Sequence, residues 1–433
     1  MKKRMAAVLA AVILLLSLAG CGEPGHVRTP GRTELRWAVW DVDETQTYQI
    51  LVREFERRNP NVDIQIVDLG SNNYANTVRE TLKNDASLDI VTIKNMTNYV
   101  DLITGGYLDP LQGRIAQAGV EKQQFGGLME QVTSDDGMCY MMPYLRHFWV
   151  LFYNKEVFDK AGEAYPTNRM TYSEYDAMAR RITSGIGNQK TYGTYYVPWR
   201  ESVQIFSALD AGGAFGNFAC ARMQPYYEMA LQQQKDGICP NFAVLQTKNI
   251  AYQNAFENGS AAMMPMGTWF INTLVGDQKK SGKSVPKWGV ARLPIPETGA
   301  AGRVIGSCTG LSIAAKSAHK DLAWDFLRFA TTDDDTAMLL ASAGGIPARR
   351  SAQAIDCLVR MPGFPKDETS RAAMINPKTF FIDLPMQKDA MQVDQILSEG
   401  HLAIMEGAEG LGKELSDMEA DLADLHRGKA EKA

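Results

Sequence analysis

Cysteine, histidine and long apolar runs are all scarce in this chain of 433 residues. Beyond Cys21 the cysteines are Cys139, Cys220, Cys239, Cys308 and Cys357, an odd set that cannot all pair within one molecule. Cys220 and Cys239 flank a predicted helix whose length holds them apart, so buried free thiols are expected rather than a disulfide framework. His26, His147, His319, His401 and His426 are dispersed, and no H-E-x-x-H or Cys/His spacing marks a metal site. No G-x-S-x-G elbow offers a nucleophile. The run G-D-Q-K-K-S-G-K-S at 276–284 has one residue too many between its glycines for a phosphate loop and reads as a charged turn. Past the amino terminus no stretch is long and apolar enough to cross a bilayer; W-V-L-F at 149–152 is broken by Asn154 and Lys155. A net charge of −5 without a basic tract argues against nucleic acid as a partner. No repeat of fixed period appears, which excludes a solenoid. These absences leave no expected cofactor, metal or catalytic residue.

What is present begins at the amino terminus. Lys2, Lys3 and Arg4 precede an apolar run from Met5 to Leu16 that ends in L-A-G-C at 18–21. A basic head and an apolar stretch of this size make a secretory signal, too short to serve as a membrane span. The ending resembles a bacterial lipobox, which implies a signal peptide over 1–20 and a diacylglycerol-modified Cys21 as the new amino terminus. Acyl chains there tether a protein to the membrane without threading it through. Residues 21–33, polar and rich in glycine and proline, read as a flexible linker. The expected location is the extracytoplasmic face of the cell membrane. The remaining chain, roughly 410 residues, is too long for one small core and fits a pair of lobes.

Strand and helix patterns alternate. Residues 34–40 (E-L-R-W-A-V-W) alternate like a strand, helical spacing follows in Tyr48, Leu51, Val52 and Phe55, and Asn59-Pro60 stops that helix. Strands at 62–67 and 88–93 flank a helix at 77–84, and a short helix at 100–104 ends at Gly105-Gly106. This order predicts an α/β protein with a mainly parallel sheet covered on both faces. Such sheets bind ligands beyond the carboxyl ends of their strands, here the loops at 41–44 and 94–97. Further on, the pattern predicts strands at 147–153, 261–266 and 312–315. It predicts helices at 172–183, 203–211, 225–235, 249–258 and 321–331, and a helical tail over 391–425.

Several segments, in order, resemble the family 1 extracellular solute-binding proteins, the sugar-binding lipoproteins of ABC importers. They are L-R-W-A-V-W with F-E-R-R-N-P-N-V-D-I, then L-D-I-V with G-G-Y-L-D-P-L, then F-Y-N-K-E-V-F-D-K-A-G at 152–162. T-Y-S-E-Y at 171–175 and F-E-N-G-S-A-A-M with G-T-W at 256–269 follow. Leu88, where the family often has proline, and Cys308, where a small residue is usual, depart from the pattern. The resemblance implies a two-lobed periplasmic-binding-protein-like fold whose discontinuous lobes are joined by crossing strands. It places one lobe at 34–146 and about 311–350, and the other at 147–310 and about 351–433. Crossings are expected at 146–149, at 307–313 and after Arg349-Arg350. It further implies a monomer that closes on a carbohydrate and hands it to a membrane permease.

A sugar cleft needs flat aromatic faces and fixed polar groups. Of seven tryptophans, Trp37 and Trp324 read as core, Trp149 as part of a crossing strand and Trp288 as preceding a short strand. Trp40 ends the first strand, Trp199 sits on a loop before a helix, and Trp269 occupies the family's stacking position; these three are the candidate platforms. Asp41 and Asn95 follow strand ends and suit hydroxyl recognition. Asp43 and Glu44 fit better at the next helix's amino terminus. Asn73 and Tyr74, in the turn after the second strand, are offered as cleft-facing. Tyr144, Arg146 and Ser307 lie at the implied crossings; Arg146 either binds ligand or braces the closed form, and Arg349 is a further candidate there. Two other readings stay open: a binder of a polyamine or other small solute, and a secreted glycosidase working through paired carboxylates.

Overall fold

The computed structural model describes residues 31–430, except 44, 216–218, 249–250, 280–284, 298–301, 376, 378, 385 and 408–409. The expected signal segment, Cys21 and most of the expected linker, together with Glu44, lie outside the described residues.

The first unit is built as the alternation predicts. Strands β1 (Thr33–Val39), β2 (Val62–Asp68) and β3 (Ile90–Ile93) run parallel, with β1 in the middle. Helices Thr47–Arg58 and Tyr74–Asn84 connect them in turn. Buried Leu51 and Phe55 of the first helix face the sheet, and Trp37 packs edge-on against Tyr48 and Phe326 at 5.3 and 5.0 Å. Trp37 is fully buried and its indole donates to Thr92 Oγ1 at 2.8 Å, which satisfies its only polar atom.

One strand then ties the molecule together. β4 (Met142–Asn154) has 13 residues, roughly 43 Å at 3.3 Å per residue. Its first half pairs with β8 (Arg303–Ile313), from Met142 opposite Leu311 to Phe148 opposite Gly306. Its second half changes partners, with Trp149–Tyr153 against β6 (Ala261–Gly267) on one side and Val150–Asn154 against β7 (Trp288–Arg292) on the other. The sheet order is β2-β1-β3-β8-β4-β6-β5, where β5 is Tyr192–Thr194; β7 adds to β4, and β9 (Thr379–Ile382) adds to β8. β8 likewise serves both ends: Ile313–Gly310 pairs with β3, and Arg303–Gly306 pairs with β9. A third segment joins them, because Arg146 N donates to Ile346 O and Ala348 N donates to Tyr144 O.

Local signals end the long strand where the sequence says they should. Asn154 closes β4 and its side chain accepts from Glu156 N and Val157 N, starting helix Lys155–Ala161. Thr171 and Glu174 form a reciprocal capping box at the start of helix Tyr172–Ile182. The helical tail is two helices, Ala390–Glu406 and Leu411–Ala430, the first ended by Gly407 at φ 73°. Cys139, Cys220, Cys239 and Cys308 are buried free thiols, and Cys357 is a partly buried one.

Two expectations need correcting. The short strand at 312–315 is only the end of the eleven-residue β8. Its middle, I-G-S-C-T-G, carries little strand propensity and is held instead by β4 along one edge and by β9 and β3 at the two ends of the other. The single helix at 249–258 is a six-residue helix, Tyr252–Glu257, preceded by a separate one at Phe242–Lys248.

Candidate functional site

The registers show where strand ends converge. Ile93, the last residue of β3, pairs with Gly310 of β8, and Gly310 pairs with Pro143 of β4. Gly267, the last residue of β6, pairs with Trp149 of the same β4. The carboxyl ends of β1 and β3 therefore approach the partner-switch point of β4 from one side, and that of β6 approaches from the other. Ligands in open α/β sheets bind beyond such ends. A cavity of about 570 Å³ joins the two sides: Asp43, Gln46 and Arg53 line it from beyond β1, and Asn272 and Gly276 from the helix after β6. A larger one, about 690 Å³, lies at the amino ends of β1 and β2 around Thr33, Glu34 and Asp63, the end at which such sheets do not bind ligands.

On the β6 side an aromatic group assembles. Trp269 follows β6 and turns its ring back over Gly267, where any β-carbon would overlap the indole. This is the physical reason for the G-T-W spacing. The Trp269 ring lies 5.8 Å from His147, 5.7 Å from Trp149 and 6.4 Å from Trp199. Trp199 also meets Tyr252 at 5.7 Å and keeps 43% of its surface exposed. Thr268, between glycine and tryptophan, donates its backbone N–H to Phe148 O and accepts from Phe148 N at its hydroxyl. His147 pairs with Ser307 across β4 and β8, so both side chains share the face that carries Trp149. Both are partly exposed. Packing around the His147 ring holds its pKa down to about 4, so it is neutral near pH 7.

Asp383 adds an acid at the same level. It follows β9, its backbone N–H donates to Gly306 O at 2.7 Å, and its side chain is half-buried. Burial pushes its carboxyl up to about 7, against the opposing charge of Arg200. Arg200, next to Trp199, is buried and paired with Asp394 at 2.6 Å.

The β1 and β3 side presents a second, smaller group. Trp40 is half-buried, stands edge-on to Tyr74 at 4.8 Å and has Lys94 Nζ 5.4 Å from its ring centre. Lys94 donates to Ser71 O, and burial lowers its pKa while Asp41 opposes that shift. Asp41 adopts φ 50° and accepts from Ser71 N at 3.2 Å. Asn95 is exposed but its Oδ1 caps helix Met96–Thr104, accepting from Asn98 N at 2.9 Å; its amide nitrogen is the part left for a ligand.

Of the sequence-predicted residues, the structure gathers Trp199, Trp269 and Ser307 on one side and Trp40, Asp41 and Asn95 on the other. Two do not join them. Tyr144 is 1% exposed, with its hydroxyl enclosed and unpartnered among the described residues, because a bulge at that position turns it into the core. Arg146 pairs with Cys308, so strand alternation puts it on the face opposite His147, Ser307 and Trp269, and only 7% of it is exposed. Tyr74 is likewise buried beneath Trp40 and donates to Thr92 O. Asp43 does not cap the next helix: Gln46 holds that position without a side-chain bond, and Thr45 Oγ1 accepts from Thr47 N. Arg349 is tied to Gln124 and Asp334. His147, Tyr252 and Asp383 escaped the sequence reading; only the position of His147 beside the implied crossing signalled one of them.

Among the described residues no cluster of His, Cys, Asp and Glu could hold a metal, and no helix is long and apolar enough to cross a membrane. The family model of the bacterial extracellular solute-binding proteins matches residues 41–337. The fold superposes on a sugar transporter from Rhizobium etli, solved in an open conformation, with a TM-score of 0.78 and 35% identity over 90% of this chain and 99% of that one. The sugar-binding protein MalE of Xanthomonas citri is 20% identical with a TM-score of 0.70, over 93% of this chain and all of that one. An uncharacterized lipoprotein of Streptomyces antibioticus is 24% identical over 341 residues, 74% of this chain and 71% of that protein. The chain is thus a two-lobed substrate-binding protein rather than an enzyme, and it belongs to the bacterial extracellular solute-binding protein family.

Proposed function

We propose that this protein captures a mono- or oligosaccharide between its lobes and delivers it to the permease of an ABC importer, as a monomer held to the cell surface by lipid on Cys21. The observation that carries the reading is the aromatic group at the end of β6, where a half-buried Trp269 and an exposed Trp199 offer two indole surfaces beside Ser307. A pyranose stacks its apolar face on such rings and directs its hydroxyls to polar groups at the edge. Ser307, Asp383 and neutral His147 supply those groups from the β8 side, and Asp41, Lys94 and the Asn95 amide from the other lobe. The lobes divide at the β4 partner switch, with 34–146 and about 311–350 in one and 147–310 and about 351–433 in the other. Contacts to both lobes favour the closed form by their differential affinity, and the permease reads that closed surface. The names of the Rhizobium relative, a sugar transporter, and of the Xanthomonas one, a sugar-binding protein, support the ligand class, and that of the Streptomyces lipoprotein supports the anchor.

A thermal-shift screen tests this. A saccharide that binds the native form raises the melting temperature in a saturable way. A flat response across the saccharides with a rise for polyamines would replace the ligand class, and release of reducing ends from an oligosaccharide would return the glycosidase reading.

A further inference from the structure

Trp199 is the most exposed of the three candidate platform rings, and little packing fixes it. It is 43% exposed and meets only Trp269 and Tyr252, tilted or edge-on, at 6.4 and 5.7 Å. Its position therefore depends on its backbone. Before it, Tyr195, Tyr196 and Val197 are buried, and Ser202 Oγ lies 2.8 Å from both Val197 O and Trp199 O. After it comes Arg200, which is 5% exposed and holds the N-cap position of helix Glu201–Ala211 without making a side-chain cap. A cation is unfavourable at a helix amino terminus, and burial adds the loss of its hydration. Two carboxylates offset both costs. Glu201 lies 3.4 Å away, and Asp394 Oδ1 accepts from Arg200 Nε at 2.8 Å and lies 2.6 Å from Nη2. The guanidinium carbon also sits 4.7 Å from the centre of the Phe215 ring. Asp394 is 194 positions away in sequence, on helix Ala390–Glu406, which packs against helix Met96–Thr104, the one that Asn95 caps.

We propose that Arg200 and Asp394 are positioning residues for the platform: their buried ion pair clamps the peptide beside Trp199 and holds the indole next to Trp269 before a ligand arrives. The pair supplies no cap to the helix it opens. What it fixes is the backbone of the residue that follows the indole, gripped by Asp394 and covered by Phe215. A ring ordered in advance loses less rotational freedom when a pyranose stacks on it, and a preorganised site gains affinity in this way. Asp394 also ties the indole to a helix that spans the boundary between the proposed lobes. The role rests on the saccharide reading, whereas the order of the Trp199 ring is observable without any ligand.

Fluorine NMR of the protein labelled with 5-fluorotryptophan tests the clamp, the Trp199 signal being the one that disappears in Trp199→Phe. Asp394→Asn leaves Arg200 its contact with Glu201. It should broaden or shift the Trp199 signal in the unliganded protein, while the signal of Trp37, buried in the other lobe, stays. Calorimetric titration with the saccharide of largest thermal shift should give a Kd about tenfold weaker for Asp394→Asn, and the same substitution made in Trp199→Ala should cost nothing further. If Asp394→Asn does not fold, Arg200→Met combined with Asp394→Leu removes both charges, leaves no lone buried ion and answers the same two questions. A Trp199 signal that neither variant changes overturns the proposal. So does a loss of affinity that persists without Trp199, which assigns the effect to the charge of Arg200 acting on Asp383. A Trp199 signal that responds in a protein binding no saccharide upholds the clamp and removes the saccharide reading.

Discussion

Replacing Trp269 with alanine separates a binding platform from a core residue. The indole touches three other rings, those of His147, Trp149 and Trp199, at 5.8, 5.7 and 6.4 Å, and the residue is only half-buried. Aromatic pairs contribute roughly 0.5–1.5 kcal/mol each beyond their buried area. Partial exposure lowers the total, so truncation should cost about 2 kcal/mol of stability, below the ~3–5 kcal/mol typical of a fully buried tryptophan. That amounts to a few degrees in melting temperature for a chain of this size. The ligand loses more. A pyranose face covering roughly 60 Å² of apolar surface at about 25 cal/mol/Å² contributes about 1.5 kcal/mol. Loss of that term weakens Kd at least tenfold. The assay is calorimetric titration with the saccharide that gives the largest thermal shift, alongside a denaturation curve and far-UV circular dichroism. A folded variant with unchanged Kd refutes the stacking role. A variant that unfolds shows that the ring was holding the lobe together, and the reasoning fails in the other direction.

Three more outcomes follow from the same geometry. Gly267→Ala puts a β-carbon where the Trp269 ring lies, so it should weaken saccharide binding by a factor similar to Trp269→Ala while β6 stays paired; titration and hydrogen exchange of β6 amides check both halves. Asp383→Asn keeps the shape of the acid beside Ser307 but removes its charge. Since the native carboxyl titrates near 7, affinity in the wild type should change between pH 6 and 8 and the variant should lose that dependence. His401 is 2% exposed, with Nδ1 2.9 Å from Tyr227 Oη, and burial holds its pKa at about 3. The unfolded chain protonates its histidine near 6.5, so the folded state binds fewer protons between those values and loses stability as pH falls through that window. Between pH 6.5 and 5 this group contributes about 1.6 kcal/mol; His147 acts in the same direction and Asp383 in the opposite one, so the difference between the wild type and His401→Gln in urea unfolding free energy at the two pH values should isolate it.

Much of this architecture is legible in the chain because local and global signals agree. The alternation of E-L-R-W-A-V-W and the Asn-Pro stop each act within a few residues, and each appears where expected. β8 was only partly legible, since glycines and a cysteine carry little pattern and the strand is fixed by neighbours far away in sequence. The site divides in the same way. Trp269 could be found from Gly267, because one residue exists to seat the other. Tyr144 and Arg146 could not be placed, because a single bulge decides which face each residue takes and no local residue type announces it. Asp383 reaches the crevice only through the pairing of β9 with β8 across more than seventy positions, a contact no periodicity records.

The most direct test is a crystal structure of the protein with the saccharide that stabilises it. The account predicts a sugar ring laid on the Trp269 indole, with Trp199 over or beside it, hydroxyls reaching Ser307 and Asp383, and the loops after β1 and β3 closed onto the other side. A ligand held elsewhere, with Trp199 and Trp269 still facing solvent or each other alone, would contradict it.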